Sequence, residues 1–272
     1  FKQQPQNINS SMDQELFYEK HGHGDEILIL FHGFGQTNEV LYPWHEGLLE
    51  YFTIFNFDLY YHGKSLRPDK PLTINQWKSE FESFLTKERI QNFHIGSFSL
   101  GGRFALKTYE LYPSQCSSVI LVAPDGVYEN FWYRLAVSKL GNKLFKYFML
   151  HPSSFNKLLN LIDQLGLATS QMIRFAQKEL SVKENRKRVY RSWTYFSPLQ
   201  PNLKTVNQLI EKHTTPIHFI LGNKDHLVPV EEIKSKINPS DSVQHHILPL
   251  KHHQLINGAK TLIPSLLKGD NL

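Results

Sequence analysis

From residue 16 to residue 123 the chain alternates short apolar runs with segments of helical period, and few folds accept that alternation. The runs fall at 16–20, 26–31, 53–58, 92–97 and 118–123. Parallel strands need long return connections, so strand-like runs separated by helix-period segments predict a parallel sheet with crossover helices. One return is explicit in the residues. Thr73 caps a helix, Gln76 completes a capping box, and Ile74, Trp77, Phe81 and Phe84 recur on one face. The polar opening, residues 2–11, is rich in Gln and Asn and reads as a loose tail.

The pattern changes after Gly126. Up to about Thr215 no strand-like run occurs, and short amphipathic helices follow one another. One carries Phe155, Leu158, Leu159 and Ile162 on a single face, with Ser153 or Ser154 to cap it and Gly166 to end it. Strand-like runs resume at 217–221 and 243–248, and a closing helix follows at 255–267. The expected architecture is α/β, a mostly parallel, doubly wound sheet interrupted by an all-helical insertion. Its boundaries are 1–126 for the first part of the core, 127–215 for the insertion and 216–272 for the second part.

Composition excludes several classes. The 272 residues are 40% hydrophobic, ample for a buried core and far from a disordered chain. A net charge of +5 is too small to imply a nucleic-acid partner. The lone Cys116 can form neither an intramolecular disulfide nor a cysteine zinc site, which favours a reducing, cytoplasmic setting. The chain opens on Phe rather than Met, which leaves room for a removed leader. The apolar run 27–31 is five residues, against roughly 20 for a membrane span, so none is expected. No Gly-rich nucleotide loop is present, and no cofactor is indicated. His21, His23, His245 and His246 lack metal-ligand spacing. Lys183, Arg186, Lys187, Arg188 and Arg191 recur at helical spacing and read as a solvated face. Trp132, Tyr133, Trp193, Tyr195 and Phe196 are expected to pack the insertion, some of them lining a pocket.

The chemistry concentrates at residues 93–105, where an apolar strand runs through Ser97-Phe98-Ser99-Leu100-Gly101-Gly102 into a helix. This segment resembles the nucleophile elbow of the α/β-hydrolase family, whose usual GxSxG carries Ser97 here in place of the first glycine. Further matches follow in chain order. His32-Gly33-Phe34-Gly35 resembles the family's HGxG turn, and 58–65 resembles its D-x-x-G-H-G-x-S loop, with Tyr61 replacing a glycine. Gly222-Asn223-Lys224-Asp225 resembles its G-x-x-D, and Lys251-His252-His253 falls where it carries a histidine.

The resemblance implies Ser99 as nucleophile, the Phe34 and Leu100 N–H groups as oxyanion hole, and Asp225 as triad acid, with Asp125 as the alternative. His253 is the implied base, because three residues usually separate the strand-end proline, here Pro249, from it; His252 is the alternative. The implied activity is hydrolysis of a small, largely apolar ester or related acyl compound beneath a helical lid, with a small molecule as the only partner and the oligomeric state left open. Two other readings stand beside it. Ser99-Leu100-Gly101-Gly102-Arg103 is similar to the elbow of the menaquinone-pathway synthase and related C–C hydrolases. The fold also serves as a receptor or scaffold with little turnover.

Overall fold

The computed structural model describes residues 16–129, 131–168 and 170–268. The expected tail at 2–11 lies outside them. One sheet holds seven strands: β1 (Tyr18–His21), β2 (Glu26–Phe31), β3 (Phe52–Phe57), β4 (Phe93–Phe98), β5 (Cys116–Val122), β6 (Ile217–Gly222) and β7 (Val243–Leu248). Their spatial order is β1-β3-β2-β4-β5-β6-β7. β1 pairs antiparallel with β3, Tyr18 opposite Phe57, and every other pairing is parallel. Each run expected from the sequence is a strand, displaced at its ends by two residues at most.

Burial on both faces explains why the central strands read as unbroken apolar runs. Leu28 through Phe31 of β2 and Val119 through Val122 of β5 are wholly buried. α1 (Ile74–Glu88) starts at the expected capping box: Thr73 Oγ1 accepts the Gln76 N–H at 3.2 Å while Gln76 Oε1 accepts the Thr73 N–H at 2.9 Å. Its face of Trp77, Phe81 and Phe84 is buried, with Trp77 edge-on to Phe104 of α2 (Gly101–Leu111).

Five helices follow β5: α3 (Phe131–Val137), α4 (Lys139–Leu150), α5 (Pro152–Gln164), α6 (Ser170–Glu179) and α7 (Lys183–Tyr195). They build two small apolar clusters of their own, Met149 with Leu180 and Val189, and Leu159 with Ile162 and Ile173. α5 begins at Pro152 rather than at a serine cap, since proline is pre-set for a first helical turn, and Gly166 at φ +65 follows its end. α8 (Leu203–His213) lies inside the expected bounds of the insertion, and its Val206 and Ile210 are buried in the main core cluster. After α9 (Val230–Lys236), the closing helix is broken into α10 (Leu255–Ala259) and α11 (Leu262–Lys268).

The basic face of α7 is solvated only in part. Arg186 is buried, and its guanidinium donates to the carbonyls of Met149 (3.0 Å), Leu180 (2.9 Å) and Ser181 (2.9 Å), at the ends of α4 and α6. Helix-end carbonyls lack intrahelical donors, which is why a buried cation is tolerated there.

Candidate active site

β4 passes into α2 through Ser99 and Leu100. Ser99 holds φ +49, the left-handed region that costs a side-chain-bearing residue about 1 kcal/mol or more. The surrounding backbone enforces it. Ser99 N–H donates to the Val122 carbonyl at 3.0 Å, and its own carbonyl accepts the N–H of Gly102 and of Asp125, both at 2.8 Å. The glycines that follow are sterically required. A Cβ on Gly101 would stand 2.1 Å from the Phe31 carbonyl oxygen, and one on Gly102 2.5 Å from Pro124 Cβ. Ser97, at the place of the family's first glycine, fits wholly buried in β4, but its hydroxyl has no hydrogen-bond partner among the described residues.

Three side chains from separate segments meet in one hydrogen-bonded line. Ser99 Oγ lies 3.0 Å from His252 Nε2, and His252 Nδ1 lies 2.7 Å from Asp225 Oδ2. The Asp225 carboxyl is fully covered, and its other oxygen accepts the N–H of Leu227 (2.8 Å) and Val228 (3.2 Å). A carboxylate facing Nδ1 selects the tautomer with the proton there, leaving Nε2 free to accept from the serine hydroxyl. Phe98 packs against the His252 ring, centroids 5.0 Å apart.

The structure brings His252, the alternative, between Ser99 and Asp225, and leaves His253, the residue expected from the Pro249 spacing, exposed. The Leu250 carbonyl is pinned where a Cβ on Gly222 would come within 2.4 Å of it, and it accepts the Lys224 N–H at 3.2 Å. The 3-10 turn that follows (His252–Gln254) opens on His252.

Asp125, the alternative acid, is engaged elsewhere. Its two oxygens accept from Arg103 Nη2 at 3.1 and 2.9 Å, while Arg103, 1% exposed, also donates to the Tyr133 hydroxyl. This pairing ties α2, directly behind the elbow, to α3 of the insertion. The HGxG turn and the 58–65 loop satisfy each other. His32 donates from Nδ1 to the Gly33 carbonyl at 2.7 Å and accepts the Leu59 N–H on Nε2 at 3.0 Å, and burial pushes its pKa down to about 4. Asp58 accepts the N–H of Asn38 and of Lys64, both at 2.8 Å, and any Cβ on Gly63 would come within 1.9 Å of its carboxylate. Tyr61 keeps φ +65 where the family carries glycine. Of the expected oxyanion donors, Phe34 lies within the 32–35 turn and Leu100 directly follows Ser99 as the N-cap of α2.

A cavity of about 280 Å³ opens within the insertion, lined almost wholly by carbon from residues including Leu144, Phe145, Phe155, Leu180 and Trp193. Leu227, whose N–H holds Asp225, forms part of its wall, and Phe34 packs against the adjoining cluster. Of the aromatics expected to pack the insertion, Tyr133 and Phe196 are buried and Trp193 lines the cavity; the Trp132 side chain lies outside the described residues. Among the described residues no three His, Cys, Asp or Glu side chains converge as a metal site. The two N–H donors to Asp225 were not anticipated, although a carboxylate followed two and three residues later by free N–H groups is a legible Asx-type signal.

A strained serine at a strand-to-helix turn, bonded through histidine to a buried carboxylate, defines a class of site. The chain belongs to the α/β-hydrolase fold family, whose model matches residues 26–259. Among solved structures it resembles a thermophilic esterase from Thermogutta terrifontis (TM-score 0.65, 14% identity, 93% of this chain and 92% of that one). It resembles equally an enol-lactonase from Burkholderia xenovorans (TM-score 0.63, 14% identity, 93% and 95%). An uncharacterised protein of Mycobacterium bovis is 29% identical over 124 residues, which are 45% of this chain and 36% of that protein. The match thus spans about a third of the curated relative's length.

Proposed function

We propose that the protein is a serine hydrolase that cleaves a small, largely apolar ester or related acyl compound. Ser99 Oγ attacks the acyl carbonyl as His252 Nε2 takes its proton, and Asp225 holds the resulting imidazolium through Nδ1–H. The Phe34 and Leu100 N–H groups receive the oxyanion, the second with the positive end of α2 behind it. His252 then protonates the leaving alcohol, and a water it activates releases the acid and restores Ser99. The observation that carries this reading is the line from Ser99 Oγ to His252 at 3.0 Å and on to Asp225 at 2.7 Å.

The cavity supports the choice of substrate. At about 280 Å³ it lies at the small end of ligand sites, which run from roughly 300 to 1,000 Å³, and its carbon lining offers nothing to a charged group. Helices α3 to α7 would serve as the lid that shapes it. Arg103, the residue behind the C–C reading, is occupied by Asp125 and Tyr133, which favours the ester reading. The test is labelling with a fluorophosphonate probe alongside turnover of p-nitrophenyl esters of graded acyl length. Label on Ser99, with Ser99→Ala slower by several orders of magnitude, is expected; wild-type turnover in that variant would overturn the mechanism.

A further inference from the structure

The outer surface of the insertion is built unlike the rest of the molecule. Of the seventeen large hydrophobic side chains exposed among the described residues, ten lie between Phe131 and Val182. On α4 they form a stripe: Leu140 (80% exposed), Leu144 (53%) and Tyr147 (47%) follow one another at helical spacing, with Leu150 (68%) at the helix end. The opposite face of α4 is spoken for, since Gly141 and Met149 are buried beneath it. An apolar stripe left uncovered by the described residues marks a contact surface.

Charge identifies the partner. Lys139, Lys143 and Lys146 are all exposed and run beside the leucine stripe, also at helical spacing. Residues 131–195 hold twelve Lys and Arg against Asp163, Glu179 and Glu184, a net +9, whereas the remainder of the chain carries −4. An apolar face edged by lysines on a short helix is the pattern of helices that lie in a membrane interface, leucines in the acyl boundary and ammonium groups at the phosphates. Among the described residues no helix is long and apolar enough to cross a membrane, so the contact is one of lying on the surface. Leu144 both lines the cavity and stands exposed in the stripe, so cavity and stripe share a residue.

We propose that the outer face of α4 docks on anionic lipid bilayers. The docked state would bring the Leu144 wall of the cavity to the lipid surface, where apolar acyl compounds concentrate. The docking does not depend on the hydrolase reading, because binding to vesicles requires no turnover.

The experiment is co-sedimentation of the full chain with phosphatidylcholine vesicles, with and without phosphatidylglycerol, at low and high salt. Expected is binding to the phosphatidylglycerol vesicles that weakens with salt and falls about fivefold for each lysine removed in Lys139→Gln and Lys143→Gln. Leu140→Asp combined with Leu150→Asp should abolish it while leaving thermal stability and hydrolysis of a soluble ester unchanged, since both side chains are largely exposed and neither lines the cavity. Wild-type protein remaining in the supernatant overturns the proposal, as does full binding by the aspartate variant. So does concentration-dependent dimerisation that the same variant removes, which would assign the face to a second copy of the chain.

Discussion

The Leu250 carbonyl oxygen lies 2.4 Å from the point where a Cβ on Gly222 would stand, so the turn after the last strand can close only over a residue without a side chain. Two residues further on, His252 meets both Asp225 and Ser99.

His252→Ala should therefore lose turnover as severely as Ser99→Ala, while His253→Ala stays within about tenfold of wild type. Steady-state kinetics on an activated ester decides it, and the reverse pattern would return the base to His253. Gly222→Ala should weaken activity with both histidines intact, because displacing Leu250 moves His252.

Ser97→Ala removes a buried hydroxyl that has no partner among the described residues, and an unpaired buried polar group costs about 1–3 kcal/mol. The variant should be at least as stable as wild type, by up to about 1 kcal/mol in urea unfolding. A clear fall in the unfolding midpoint would mean that the hydroxyl is bonded, as by an internal water.

Stability should decline as the pH falls from about 6.5 towards 4. Burial holds His32 down to about 4 and His45 likewise, whereas in the unfolded chain both titrate near 6.5. Between those values the unfolded chain binds protons that the folded chain refuses, so the slope of stability against pH is positive there. The contribution is fully present above about 6.5 and lost progressively below it. Unfolding midpoints between pH 8 and pH 4.5, with the His32 ring followed by NMR, test this; a His32 signal that titrates near 6.5 would contradict it.

Trp193→Ala should shift acyl preference towards longer chains, changing the ratio of kcat/KM between long and short esters by about tenfold or more. The residue lines the cavity wall, stacked on Phe145 with ring centroids 5.4 Å apart. An unaltered chain-length profile would place the acyl group elsewhere.

The sheet was legible in the sequence because strands buried on both faces, such as Ile27 to Phe31, leave runs that nothing else in a soluble core explains. The elbow was legible because Gly101 and Gly102 answer to backbone within reach of their missing side chains, a local demand. What was not legible depends on contacts distant in sequence. What sets His252 apart from His253 is its contact with Asp225, 27 residues away, and with Ser99, 153 away, and no spacing within 249–255 encodes that. Arg186 read as one more surface cation because helical periodicity reports a face, not what lies against it. Its partners at Met149, Leu180 and Ser181 come from other helices.

That arginine has a mechanical consequence. By joining the ends of α4 and α6 to α7 through three carbonyls, it leaves these helices no cheap way to slide past one another, since each parted bond would strand a cation away from water. The insertion is thereby clamped twice, α4 and α6 to α7 through Arg186 and α3 to α2 through Arg103 and Tyr133, and loosening either clamp would strand a buried cation.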